Sequence, residues 1–129
     1  MTLNEETTRL GGERGSQAAE FAMVLPMAIG LLGFLLAAAL VGVELLAAQH
    51  LAREVARAAA VTSDADAHTM AGQLAEGRTL ELAVSPPSGA RRPGDLLTVR
   101  LRLRSAVAAR LGVDVWLPAT AVMRTEDVP

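Results

Sequence analysis

Hydrophobic and polar residues are distributed very unevenly along the chain. From Phe21 to Val43 the sequence reads FAMVLPMAIGLLGFLLAAALVGV, 23 residues without Asp, Glu, Arg, Lys or His. As a helix this run extends roughly 34 Å at 1.5 Å per residue. From Glu44 to Ala58 charges return without a helix breaker, and Leu51, Val55 and Ala58 fall on one stripe with Glu54 and Arg57 off it, which predicts that the helix continues. Thr62-Ser63-Asp64 then reads as a stop and a new N-cap, opening a shorter helix over Ala65 to Glu76 that ends at Gly77. Beyond Gly77 the period changes from 3.6 to 2. Leu80, Leu82 and Val84 alternate with polar or small residues up to Pro86-Pro87; Val99, Leu101 and Leu103 alternate with Arg100, Arg102 and Arg104; a third alternating segment runs from Trp116 to Arg124. The expected fold class is α+β: a long N-terminal transmembrane helix that continues outside the membrane, with a small C-terminal antiparallel sheet of about three strands packed on it.

The length of the apolar run matches a hydrocarbon core of about 30 Å. A buried helix of a soluble protein rarely runs so far without a polar face, and this run is apolar all round. A cleaved secretory signal with Arg9 and Arg14 as its basic region is a weaker fit, because its apolar core spans about 7–15 residues. Two arginines on each side, Arg9 and Arg14 before and Arg53 and Arg57 after, leave the orientation open by charge alone. Within the run, Pro26 predicts a kink. Gly33 with Ala37, and Ala38 with Gly42, have the small-xxx-small spacing that lets another helix approach closely.

Composition fits this division of the chain. Of 129 residues 51% are hydrophobic but only 2% aromatic, so the bulk of the apolar content cannot be filling an ordinary globular core. The absence of cysteine excludes disulfides, thiolate zinc sites and cysteine nucleophiles. A formal net charge of −2 argues against nucleic acid as a partner.

Immediately before the run stands Arg14-Gly15-Ser16-Gln17-Ala18-Ala19-Glu20-Phe21. A carboxylate abutting hydrocarbon costs several kcal/mol unless it is paired. Glu20 either marks the headgroup boundary or has a partner. The pattern Gly15, four residues, Glu20-Phe21, then Ala22-Met23-Val24-Leu25-Pro26 resembles the processing site and N-terminal helix of the TadE-like pseudopilins, minor subunits of the tight-adherence (Flp-type) pilus in the type IV pilin superfamily. The resemblance extends from Gly15 to about Ala60. It is looser at the C-terminal end, through Pro93-Gly94-Asp95-Leu96-Leu97-Thr98-Val99 and Ala121-Val122-Met123-Arg124-Thr125-Glu126.

The resemblance implies three segments: a cytoplasmic leader over residues 1–15, removed by a prepilin peptidase that cuts between Gly15 and Ser16; a transmembrane and extended helix over 16–60; and an external head over 61–129. It implies that Glu20, with Phe21 beside it, acts in assembly by pairing with the freed N-terminal amine of a neighbouring subunit. The implied location is the inner (cytoplasmic) membrane, N-terminus inside and head outside, with incorporation into an extracellular pilus. The implied partners are the peptidase, other pilins and pseudopilins, inner-membrane pilus platform proteins and the lipid bilayer. Neither the TadE-like nor the related TadF-like assignment is separated by these residues.

Other candidates read more plainly. The Arg100, Arg102, Arg104 stripe is either a contact for an anionic surface or, as weighs more here, the solvated face of an amphipathic strand. Trp116 is either an interface anchor or, as weighs more here, the head's one large core residue. His50 and His68 have no carboxylate or cysteine cluster at ligand spacing, so no metal and no cofactor is expected. No phosphate-cradling glycine loop, HExxH pair or Gly-x-Ser-x-Gly elbow is present, and the expectation is a non-enzymatic protein. The competing reading is an unrelated single-pass membrane-anchored envelope protein with an external binding head.

Overall fold

A computed structural model describes the backbone from Leu3 to Glu126 and the side chains from Gln17 to Glu126. The order of elements is α1 (Leu3–Val61), α2 (Asp64–Leu74), β1 (Leu80–Ser85), a short 3-10 turn (Ser88–Ala90), β2 (Leu96–Arg104), α3 (Ala106–Arg110) and β3 (Trp116–Arg124). The class is α+β. The chain divides into two compact units, Met1–Ala38 and Ala39–Pro129.

The first unit is helix throughout its described length. Pro26 lies inside it. Phe21, Met23, Met27, Ile29, Leu31, Leu32 and Phe34 are all more than half exposed.

The second unit is built on the C-terminal stretch of α1. There the apolar face is Ala48, Leu51, Ala52, Val55, Ala56, Ala59 and Ala60, all buried, at the i, i+3, i+4 spacing of one helix face. Ala58, expected on that stripe, lies at its half-buried margin. Glu54 and Arg57 form an exposed pair at 3.6 Å, worth little in water. α1 ends where the Thr62 hydroxyl and N–H both turn back to the Ala58 carbonyl, at 2.8 and 2.9 Å. Ser63 caps α2. Its Oγ accepts from the Asp66 N–H at 3.2 Å and donates to the Asp66 carboxylate at 2.7 Å, while Asp64 and Asp66 place negative charge in the first turn, where the helix dipole favours it.

The sheet has the order β1-β2-β3, antiparallel throughout. Leu80 to Ser85 pair with Leu103 to Thr98, and Leu96 to Arg104 pair with Arg124 to Trp116. Alternation then decides which side chains go inward. Leu97, Val99, Leu101 and Leu103 of β2 and Leu117, Ala119 and Ala121 of β3 join the buried face of α1 and Ala67, Ala71 and Ala75 from α2's inner face and C-cap in one core. This core contains no aromatic side chain. Alanines of both helices make up most of the helical side of this core, and the larger Leu and Val side chains of the strands fill it from the other.

Trp116 is therefore not a core residue, contrary to the sequence-based expectation. It is only half-buried, opposite Arg104 on the solvent face, with the Arg102 guanidinium 5.6 Å from its ring centroid. The strand's inward parity starts one residue later, at Leu117. The stretch from Ser105 to Val113, between the second and third alternating segments, contains α3, capped by Ser105 Oγ on the Ala108 N–H at 3.1 Å. It closes with Gly112 at φ +77, where the Val113 N–H reaches the Ala108 carbonyl at 3.0 Å and the Gly112 N–H reaches Ala109 at 3.1 Å. Those two bonds form a Schellman motif, for which a glycine in the left-handed region is the favoured residue.

Candidate functional site

The sequence-predicted residues at the start of the apolar run all belong to α1. Gly15 and Ser16 lie within its helical span; their surroundings fall outside the described residues. Glu20 is exposed and Phe21 is 67% exposed, so acid and ring stand on an unburied helix surface. At Gly33, as at Gly30 and Gly42, no heavy atom beyond the adjacent residues and the helix's own nearby backbone lies within 4 Å of where a Cβ would sit. Gly33 and Ala37 thus leave a shallow strip of backbone on the helix surface. Among the described residues α1 is the one helix long and apolar enough to cross a membrane, and none of its most apolar window is buried.

In the second unit, two polar clusters that sequence reasoning missed fasten α1 to the connections of the sheet. The first is centred on Glu44, the residue that follows the apolar run. Its carboxylate accepts from the Ser105 hydroxyl, from the Ala106 N–H at 3.0 Å and from the Val107 N–H at 3.3 Å. A short helix leaves its first N–H groups without internal partners, and a carboxylate there satisfies them and complements the dipole. Glu44 and Ser105 together therefore cap α3 across 61 residues of sequence.

The second cluster is centred on Arg91. Its side chain is 8% exposed. Nε donates to the Pro86 carbonyl at 2.8 Å, Nη1 to the Ala59 carbonyl at 2.7 Å, and Nη2 to the Asp64 carboxylate. Asp64 in turn accepts from the Ser88 N–H at 2.8 Å. The end of α1, the start of α2 and the β1–β2 connection thus meet on one guanidinium, whose rigid planar fork holds its donors apart and aims them at three separate acceptors. A cleft of about 400 Å³ adjoins it, lined in part by Ala60, Thr62, Arg92 and Thr125. Thr125 closes the same end of the unit: its N–H donates to Asp95 at 2.9 Å and its hydroxyl to the Arg92 carbonyl at 2.7 Å.

These two clusters orient the second unit along α1. Glu44 and Ala59 are separated by about 22 Å of helix, and β2 runs from the Arg91 end to the Glu44 end. The chain matches no family model, no curated protein and no solved structure.

The outer face of the sheet carries the arginine stripe. Arg102 pairs with Glu81 at 3.4 Å and Arg104 with Asp114 at 2.8 Å, all four side chains about half exposed. Arg100 stands between Ala83 and Thr120 in the register. Two of the three cations are thus engaged by acids of the same unit, as expected of a solvated strand face. His50 and His68 are exposed, and no group of three or more His, Cys, Asp or Glu is arranged to hold a metal among the described residues.

A signal for Glu44 existed in the sequence: it is the first charge after 23 uncharged residues, and Ser105 precedes the helix-forming Ala-Val-Ala-Ala-Arg and a later Gly112. For Arg91 there was none. Arg92 stands beside it before Pro93-Gly94, and composition does not separate the two.

Proposed function

We propose that the chain is a TadE-like pseudopilin, a structural and assembly subunit of a tight-adherence (Flp-type) pilus or related secretion filament. In this reading α1 anchors it in the cytoplasmic membrane with the N-terminus inside and the sheet-bearing unit outside, and a prepilin peptidase cuts after Gly15. The observation that carries the reading is the boundary: an exposed, lone carboxylate, Glu20, five residues after Gly15 at the start of an unburied, charge-free run. A carboxylate so placed is unfavourable in the isolated chain and favourable once paired. Cleavage creates its partner, the amine of Ser16 on a neighbouring subunit; opposite charges about 4 Å apart attract several times more strongly in a bundle of helices than in water. A single buried polar contact of this kind sets register between helices. Gly15, a poor helix former, is also a position where the chain opens readily into the extended form that a protease needs.

The test is the intact mass of protein extracted from membranes. A chain beginning at Ser16, and only in cells holding an active prepilin peptidase, supports the reading; a Met1 terminus in such cells overturns it in favour of an unrelated membrane-anchored envelope protein. Glu20→Ala is expected to insert and be cleaved yet fail to enter filaments, and normal assembly of that variant removes the role given to Glu20.

A further inference from the structure

Resting on the membrane-anchor part of that reading, we infer that the β2–β3 connection, residues 106–113, is a second membrane contact, seated in the headgroup region of the leaflet from which α1 emerges. Three observations within the second unit lead there. The apolar run ends at Val43, so Glu44 marks the level at which α1 leaves hydrocarbon. Glu44 holds Ser105, Ala106 and Val107 by hydrogen bonds, which brings the first turn of α3 to that same level. The segment it holds is Ala-Val-Ala-Ala-Arg-Leu-Gly-Val, with Arg110 its single charged residue; Val107 is half-buried, while Leu111 is 65% exposed and Val113 53%.

A surface connection in water is ordinarily polar. Residues 106–113 are not, the acid that follows them, Asp114, being paired with Arg104, and the stretch is held in its exposed form by the Ser105 cap and the Schellman closure at Gly112. Exposed apolar residues with a neighbouring arginine have the chemistry of an interfacial segment: Leu and Val enter the boundary between headgroups and acyl chains, while the long Arg stem carries its charge to lipid phosphate. Val43 at 64% and Leu46 at 63% exposure flank Glu44 on α1, so the helix offers the same lipid-facing character at this level. The Glu44 carboxylate is tolerated there because three donors already satisfy it.

The chain has no cysteine, so single-cysteine variants of the full-length protein can be labelled with an environment-sensitive fluorophore and reconstituted in vesicles of phosphatidylethanolamine and phosphatidylglycerol. Four positions suffice: Leu111→Cys, Val113→Cys, Leu32→Cys in the apolar run and Ser88→Cys at the Arg91 end. Labels at 111 and 113 are expected to shift to the blue and lose intensity to lipids spin-labelled near the headgroup; the label at 32 should respond to lipids spin-labelled near the bilayer centre, and that at 88 to neither. Labels at 111 and 113 behaving like 88, with 32 still quenched, overturn the inference and leave the anchor standing. Absence of quenching at 32 overturns both. A blue shift at 111 that depends on protein-to-lipid ratio, without lipid quenching, assigns the patch to contact between copies of the chain and also overturns the inference.

Discussion

Truncation of Arg91 to alanine removes the donor that three elements share. The Ala59 and Pro86 carbonyls and the Asp64 carboxylate each lose a charged partner, and hydrogen bonds to charged groups contribute about 1.5–3 kcal/mol each. Breaking a buried ion pair by deleting one member costs about 3–5 kcal/mol. Two features favour the lower end: Asp64 is 25% exposed and keeps its bond from the Ser88 N–H, and the adjoining cleft of about 400 Å³ admits water to the orphaned groups. The expected loss is therefore about 3 kcal/mol, a large fraction of the 5–15 kcal/mol typical of a domain. Trp116 is the only tryptophan of the chain and lies in β3, so its fluorescence follows unfolding of the second unit in the full-length protein in detergent micelles. With a urea slope of about 1 kcal/mol per molar, the midpoint should fall by about 3 M. Arg92→Ala is the matched control, since Arg92 is exposed, and should leave the midpoint within about 0.5 M, the usual range of surface substitutions. If Arg91→Ala also stayed within that range, Arg91 would not be the fastening described here, and the reasoning from its buried hydrogen bonds would fail.

Glu44→Ala should uncap α3, a helix of five residues too short to persist alone; amide exchange at residues 106–110 should accelerate while that of Leu101 and Leu103 changes little, and unaltered exchange at 106–110 would refute the cap. Ala56→Leu places a larger side chain on a fully buried position of α1 and should destabilise the unit by about 1–3 kcal/mol, read from the same Trp116 transition; a neutral result would mean that helix and core are loosely packed. Glu76 holds φ +51 in the turn after α2, a region that strains residues with a Cβ, so Glu76→Gly should raise stability by up to about 1 kcal/mol, and a lower urea midpoint would contradict this.

Much of the second unit was legible because its signals are local. Ser63 at the N-cap and the alternation of Val99, Leu101 and Leu103 each act over a few residues, and α2 begins and β2 lies where these patterns put them, although α2 ends at Leu74, short of the expected Glu76. Trp116 was misplaced because size suggested burial, whereas strand parity decides it: Leu117, Ala119 and Ala121 face inward, which sends Trp116 outward. α3 was missed because Ala106–Arg110 has no apolar period and only part of its cap, Ser105, is local; the rest comes from Glu44, 62 residues away from Ala106 in sequence.

Sequence alone was enough to establish an unbroken apolar run between Glu20 and Glu44, the continuation of its helix, and an α+β unit after it, since hydrophobic periodicity and capping depend only on neighbours along the chain. The tertiary structure decided which charges matter to that unit. It buried Arg91 and left Arg92 exposed, engaged Glu44 with α3, and paired Arg102 and Arg104 with Glu81 and Asp114. Those outcomes depend on which connections the strand register brings against α1, and that follows from packing the whole core at once, not from any local pattern.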